Sequence, residues 1–122
     1  MMVSLRYGRG ELRVEVPSTR ASVVEPRFVP GRPDEAAAFR EAVRHPIGAR
    51  PLAECVGAGE RLAVAIPDLT RPLPSHRLLP WVFDELSHVP ADRVTIVNGT
   101  GSHRVNTEEE LRSMVGAGVL ER

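Results

Sequence analysis

Leu62 to Asn106 reads LAVAIPDLTRPLPSHRLLPWVFDELSHVPADRVTIVNGTGSHRVN, and this stretch decides the fold. Two short apolar runs, Leu62–Ile66 and Val94–Val97, are rich in Val, Ile and Ala and bounded by turn residues. Runs of that kind suit strands buried on both faces. Between them, Ser75 to His88 carries Leu78, Leu79, Val82, Phe83 and Leu86 at helical spacing, one apolar stripe on an amphipathic helix. Ser75 reads as its N-cap. Pro80 places the start of the regular helix near Leu79, where a missing N–H does little harm. Strand, helix, strand over this length is a βαβ unit with parallel strands and a right-handed crossover. The loops that follow the two strands then open at the same edge of the sheet.

Those loops hold the densest chemistry in the chain. The first is Asp68-Leu-Thr-Arg-Pro-Leu-Pro74 and the second Asn98-Gly-Thr-Gly-Ser-His-Arg104. Paired strands lie ~4.8 Å apart, and ligands of open α/β sheets bind outside the carboxyl ends of the strands. Asp68, Arg71, His103 and a Gly-rich turn are therefore expected to face one pocket. Each string also has a plain structural reading. Asp68 and Thr70 can cap a proline-stiffened turn, and Gly99 and Gly101 can serve a tight turn without any ligand.

Working outward, Gly8-Arg-Gly10 divides residues 3–16 into two halves, and Leu12, Val14 and Val16 alternate with Arg13 and Glu15. That is the pattern of a hairpin with one half-buried face. Residues 17–33 carry Pro17, Pro26, Pro30 and Pro33 and read as an extended strap. It either packs through Val23, Val24, Phe28 and Val29 or meets something outside the chain. Asp34 caps a helix over 35–45 with Ala36, Phe39 and Val43 as its stripe. His45 at the end of that helix suits its dipole. Residues 51–56 form a further helical turn, which places Cys55 on the apolar side as a buried structural thiol. Thr107 and Glu110 make a capping box for a last helix with Leu111, Met114 and Val115 inward, ended or loosened at Gly116-Ala-Gly118.

Composition bounds the function. The chain has 122 residues, 16 acidic and 16 basic, for a formal net charge of zero. An electrostatic nucleic-acid binder needs a basic footprint and is not expected. Every basic residue is Arg, so no side-chain amine is present for a Schiff base or a Lys-linked cofactor. A single cysteine excludes an internal disulfide. No run approaches the ~20 apolar residues of a membrane span, and a soluble cytoplasmic protein is expected.

Four pieces together resemble the N-terminal domain of the lactate racemase family, the nickel-pincer-nucleotide enzymes. They are Pro46-Ile47-Gly48, Asp68-x-Thr70-Arg71-Pro72-x-Pro74, Thr100-Gly101-Ser102-His103-Arg104 and Thr107-x-Glu109-Glu110-Leu111. Their order and spacing are similar to the family's, and the resemblance covers the chain from about Tyr7. It implies one Rossmann-like α/β domain over residues 1–122, the N-terminal lobe of a larger two-domain isomerase that racemises or epimerises 2-hydroxy acids. It further implies a nickel-pincer pyridinium mononucleotide that takes a hydride from substrate C2 and returns it, through a 2-oxo acid. His103 matches one of two histidines that exchange the hydroxyl proton. Asp68, Leu69, Thr70 and Arg71 match the cofactor-binding loop, with Gly99, Thr100 and Gly101 beside it, and Arg71 suits the substrate carboxylate.

Val105 departs from the family, where Pro commonly follows the His-Arg pair. The second catalytic histidine, the tethering lysine and the nickel-ligating histidine lie further along the family's chain, and His45, His76 and His88 do not replace them. His76 is expected to brace the first loop and His88 to be solvated. No metal ligand is assigned here, and 122 residues alone are expected neither to hold a covalent cofactor nor to racemise. The implied partners are a small 2-hydroxy acid and a missing C-terminal domain, with no nucleic acid and no membrane. Two other readings stay open: a non-catalytic α/β module that cradles a nucleotide or phosphate on Gly99–Ser102, and, more weakly, a hydrolase that uses Asp68 and His103 with a water.

Overall fold

The computed structural model describes residues 1–121, which fall into two units, Met1–Gly31 and Arg32 onward. In the first, β1 (Met2–Tyr7) and β2 (Gly10–Glu15) form an antiparallel hairpin in which Val3 faces Val14 and Leu5 faces Leu12. Gly8 has φ 57° while Arg9 does not have positive φ, the pattern of a type II′ hairpin turn. Val16 and Met1 close the open end through paired backbone bonds, Val16 N to Met1 O at 2.9 Å and the Met1 amine to Val16 O at 2.7 Å. Val14 and Val16 are half-buried as expected, but Leu12 is exposed. The strap that follows has no regular structure through Gly31, and of its two expected roles packing is not seen: Val24, Phe28 and Val29 are all more than three-quarters exposed (90%, 85% and 77%).

The second unit is built on the predicted βαβ. β3 (Leu62–Pro67) and β4 (Val94–Gly99) pair in parallel, Leu62 opposite Val94 and Pro67 opposite Gly99. Both strands run a residue or two beyond their apolar cores, so Asn98 and Gly99 belong to the strand and not to the loop. The expectation of strands buried on both faces is overturned. Leu62, Val64, Ile66, Val94 and Ile96 are at least half-buried, whereas Ala63, Ala65, Thr95 and Val97 on alternate positions are exposed. One layer of helices covers one face, and the apolar runs are short enough to hide a period-2 pattern behind small residues.

That layer comprises α2 (Ser75–Glu85), α3 (Glu108–Val115) and a final turn, α4 (Ala117–Leu120). Ile66, Leu79 and Val115 form the core, with Val64, Phe83, Ile96, Met114 and Val119 packed against it. Burying one such aliphatic side chain is worth about 1.5–3 kcal/mol. The expected late start of α2 is corrected: the helix begins at Ser75, which is buried, and Pro74 stands at the cap position without a side-chain bond. Arg77 N and Leu78 N both bond Pro74 O, so the first turn is closed before Pro80 is reached, and the proline removes one later bond only. The helix ends at Glu85, short of His88, because Ser87–Val89 turn away on their own backbone bonds.

α1 (Glu35–Arg44) is capped by Asp34, whose carboxylate accepts from Ala37 N at 2.8 Å. It lies against α2 through Phe39 and Trp81, ring centroids 5.8 Å apart. Arg44 grips Glu85 with two bonds (2.8 and 2.9 Å), and Arg77 meets Glu35 at 2.6 Å. Leu52–Glu54 is a 3-10 turn, and Cys55 after it is exposed, a correction to the expected buried thiol. Its Sγ lies 3.4 Å from Pro51 O on the outer side of that turn. His88 is exposed as expected, yet its Nε2 contacts Val56 O at 2.7 Å. No helix among the described residues is long and apolar enough to cross a membrane.

Candidate active site

Parallel pairing of β3 with β4 brings the two chemical loops to one edge of the sheet. Asp68 follows Pro67 directly and is 4% exposed. A buried carboxylate needs partners, and both of its oxygens have them. Oδ1 accepts from Thr70 Oγ1 at 2.7 Å and Thr70 N at 3.2 Å, an Asx-type turn within the loop. Oδ2 lies 2.6 Å from His103 Nδ1. The Thr70 hydroxyl first, and the His103 bond second, hold the Asp68 carboxyl below its ordinary range against the opposing effect of burial. It is therefore an anion at neutral pH. With Nδ1 directed at a carboxylate, the other ring nitrogen, Nε2, is left for chemistry, and the His103 side chain is 49% exposed.

The loop that carries His103 is shaped by its glycine. His103 N bonds Thr100 O at 2.9 Å, closing a turn in which Gly101 has φ 57° and Ser102 does not have positive φ. A β-carbon at Gly101 would be strained in that conformation whatever the space around it. Gly99 has no such constraint: a β-carbon there would sit 3.4 Å from Ile66 O across the parallel pair, at the edge of ordinary van der Waals contact.

Arg71 lies in a cleft of about 330 Å³ at the same edge, lined also by Asp68, Leu69, Ser75, His76 and Glu110. Its guanidinium has no partner among the described residues. His76 is on the cleft wall, with its Cβ close to Gly116 at the end of α3. Asp68 is common to the two features, since it lines the Arg71 cleft and holds His103. His103 itself is not part of the cleft lining. Thr70 is spent on Asp68, and Leu69 lines the cleft together with Leu73 and Met114. Among the described residues no group of three or more His, Cys, Asp or Glu is arranged to hold a metal.

A second set of residues surrounds the His103 loop. Glu110 accepts from Arg104 with both oxygens (2.6 and 2.9 Å), from Thr107 N at 2.8 Å and from Asn106 Nδ2 at 3.3 Å. Asn106, itself buried, accepts from Asn98 Nδ2 at 2.7 Å. The capping box at Thr107 was legible, but the bond from Arg104 was not, because a partner six residues away across a helix start follows no periodicity. A polar Asn98 ending an apolar strand, and Asn106 just ahead of the cap, were the available signals.

A family model described as the lactate racemase N-terminal domain matches residues 7–122. The chain belongs to that family. Lactate racemase from Lactiplantibacillus plantarum is 33% identical over 81 residues, 66% of this chain and 19% of the relative. Lactate racemase from Thermoanaerobacterium thermosaccharolyticum is 27% identical over 124 aligned positions, 98% of this chain and 29% of the relative. The solved structure of the lactate racemase apoprotein from the same organism superposes with a TM-score of 0.77 at 25% identity, over 100% of this chain and 28% of that one. This lactate racemase N-terminal domain thus spans under a third of the length of the curated relatives it matches.

Proposed function

We propose that residues 1–122 form the substrate- and cofactor-binding N-terminal domain of a lactate racemase-like isomerase of 2-hydroxy acids. The observation that carries this is the Asp68–His103 pair, 2.6 Å apart at the carboxyl edge of a parallel sheet, with Asp68 lining the cleft of Arg71, whose guanidinium has no partner among the described residues. In this reading Asp68 fixes the tautomer of His103, and Nε2 takes and returns the hydroxyl proton of the substrate. Each transfer charges the imidazole transiently, and the carboxylate behind it stabilises that charge. Arg71 binds the substrate carboxylate, a planar acceptor matched by its two-pronged donor set.

The residues fit the anionic end of a pyridinium mononucleotide. The Arg71 cleft ends on the first turn of α2 at Ser75 and His76, where the positive end of the helix dipole favours a phosphate, although Ser75 N is taken by Leu73 O, and Arg77 N and Leu78 N by Pro74 O. Leu69 lines the cleft and Thr70 holds Asp68 beside it, while a role for Gly99, Thr100 and Gly101 toward the nucleotide rests on their match to the family's second loop. When bound, the nickel-pincer group supplies reversible hydride acceptance at the substrate C2. Ligands for its metal and a lysine to tether it would come from a longer polypeptide, consistent with relatives more than three times as long. Water exclusion around Nε2 falls to the same missing portion, since this domain leaves His103 half open.

A chimera tests the reading. This domain replaces the matching segment of the Thermoanaerobacterium lactate racemase, and racemisation and cofactor content are measured. Turnover that His103→Ala abolishes without emptying the cofactor site supports the assignment. A loaded, folded chimera in which His103→Ala retains full turnover refutes it.

A further inference from the structure

We infer that Glu110 is a positioning residue for His103, acting through Arg104 to fix the β4–α3 loop on the helix that follows it; the inference rests on the acid/base reading of the Asp68–His103 pair. The loop runs from Thr100 to Thr107 and has three anchors. One is the turn closed by His103 N on Thr100 O, and the second is the bond from His103 to Asp68. The third is Glu110. Neither of the first two fixes the chain beyond His103, because the turn ends there and Asp68 holds the ring alone. Arg104 is the next residue, and its guanidinium meets both oxygens of Glu110 in a two-pronged pair. This geometry restrains direction as well as distance.

Glu110 is tied in turn to both ends of the loop. Thr107 N, at the helix start, donates to it at 2.8 Å, and Asn106 connects it to Asn98 at the end of β4. Asn98 makes this connection through its side-chain amide. Its Oδ1 is buried with no hydrogen-bond partner among the described residues, while its Nδ2 is directed at Asn106. The carboxylate is saturated by four donated bonds, which agrees with the lowering of its pKa to about 2, chiefly by Arg104. A helix cap alone would use one of these bonds. The other three join the His103 loop to α3, and the Asn98–Asn106 bond ties it to β4.

The discriminating variant is Glu110→Gln. Glutamine can still complete a capping box but offers one acceptor oxygen and no charge to Arg104. The chain is labelled with 15N, and exchange of the His103 Nδ1 proton with water is followed by NMR, with Asp68→Asn as the control that loses the acceptor. The expected result is a protected Nδ1 proton in the wild type that exchanges severalfold faster in Glu110→Gln, while the Glu110-side cap at Thr107 N stays protected. Unchanged exchange in Glu110→Gln overturns the inference and leaves the Asp68–His103 reading standing. Absence of a protected Nδ1 proton in the wild type overturns both. Should Glu110→Gln fail to fold, Arg104→Gln makes the same cut with the cap carboxylate intact, and the same two outcomes decide.

Discussion

Asp68 and His103, 35 residues apart in the chain, meet at 2.6 Å because one begins the loop after β3 and the other turns back from the loop after β4. In the proposed function this bond sets which imidazole nitrogen is presented to the substrate. In the chimera, Asp68→Asn is expected to lower kcat by about 10²–10⁴, the range of general acid–base contributions. KM should change little, because asparagine keeps the loop volume and disturbs tautomer and charge only. Steady-state kinetics in both reaction directions check this.

Arg71 separates binding from folding. Its guanidinium makes no bond to a described residue, so Arg71→Ala should leave thermal stability within the usual scatter of surface substitutions. Affinity for the hydroxy acid should fall by about tenfold to a hundredfold, as expected for loss of a charge-assisted carboxylate contact. Equal loss of Tm and affinity would show instead that the side chain supports the first loop.

Acid stability has a defined sign. The Glu110 carboxyl is lowered from 4.5 to about 2, mainly by Arg104. Asp68 moves in the same direction, mainly through the Thr70 hydroxyl. A folded carboxylate that resists protonation binds fewer protons than its unfolded counterpart, so stability rises with pH across the interval between the two values. It is complete above about 4.5 for Glu110 and lost as pH falls toward about 2. Urea unfolding followed from neutral to acid pH should show this slope, and Glu110→Gln should flatten it while lowering the neutral value.

The core is small, so its members are individually costly. Leu79 is 3% exposed and packs in one cluster with Ile66 and Val115. Leu79→Ala is expected to cost about 2–5 kcal/mol, a large share of the stability of a domain this size. Equilibrium denaturation with Trp81 as the optical probe measures it.

The same indole reports on α1. Trp81 is the only tryptophan and lies 5.8 Å from Phe39 with the ring planes tilted by 43°, on the helix pair also joined by Arg44–Glu85 and Arg77–Glu35. Phe39→Ala should shift its emission to the red and increase quenching by a neutral quencher, without unfolding the βαβ unit. Unaltered emission would mean that α1 contributes nothing to the shielding of Trp81.

The βαβ unit, the hairpin, the Asp34 cap and the capping box at Thr107 were legible because each depends on residues close in sequence. Periodicity, glycine position and cap chemistry are local properties. The strand faces were not legible, since LAVAI reads as uniformly apolar although Ala63 and Ala65 are small enough to stay wet. Pro80 misled for a related reason: the penalty of an interior proline was visible, but not the compensating closure of the first turn on Pro74 O. Cys55 was misplaced because a three-residue 3-10 turn has no stable apolar side to predict. In the candidate site, residue types alone drew attention to the two loops, which the parallel pairing brings to one sheet edge. The sequence could not show that Thr70 and His103 divide the two oxygens of Asp68 between them, or that Arg104 is turned away onto Glu110, because those are choices of rotamer made across the sheet edge.

A parallel sheet normally requires shielding above and below, and here the second side is lined by two alanines, a threonine and Val97, the last 46% exposed. Methyl groups on an alternate row present little oily area to water, so the hydration penalty of leaving that side bare is modest by the ~25 cal/mol per Å² rule. Thrift in side-chain size is what allows two strands and a single tier of helices to stand where larger residues would force collapse or clumping. Replacing Ala63 or Ala65 with leucine would remove that tolerance first in solubility, long before any effect on the loops at the far end of the strands.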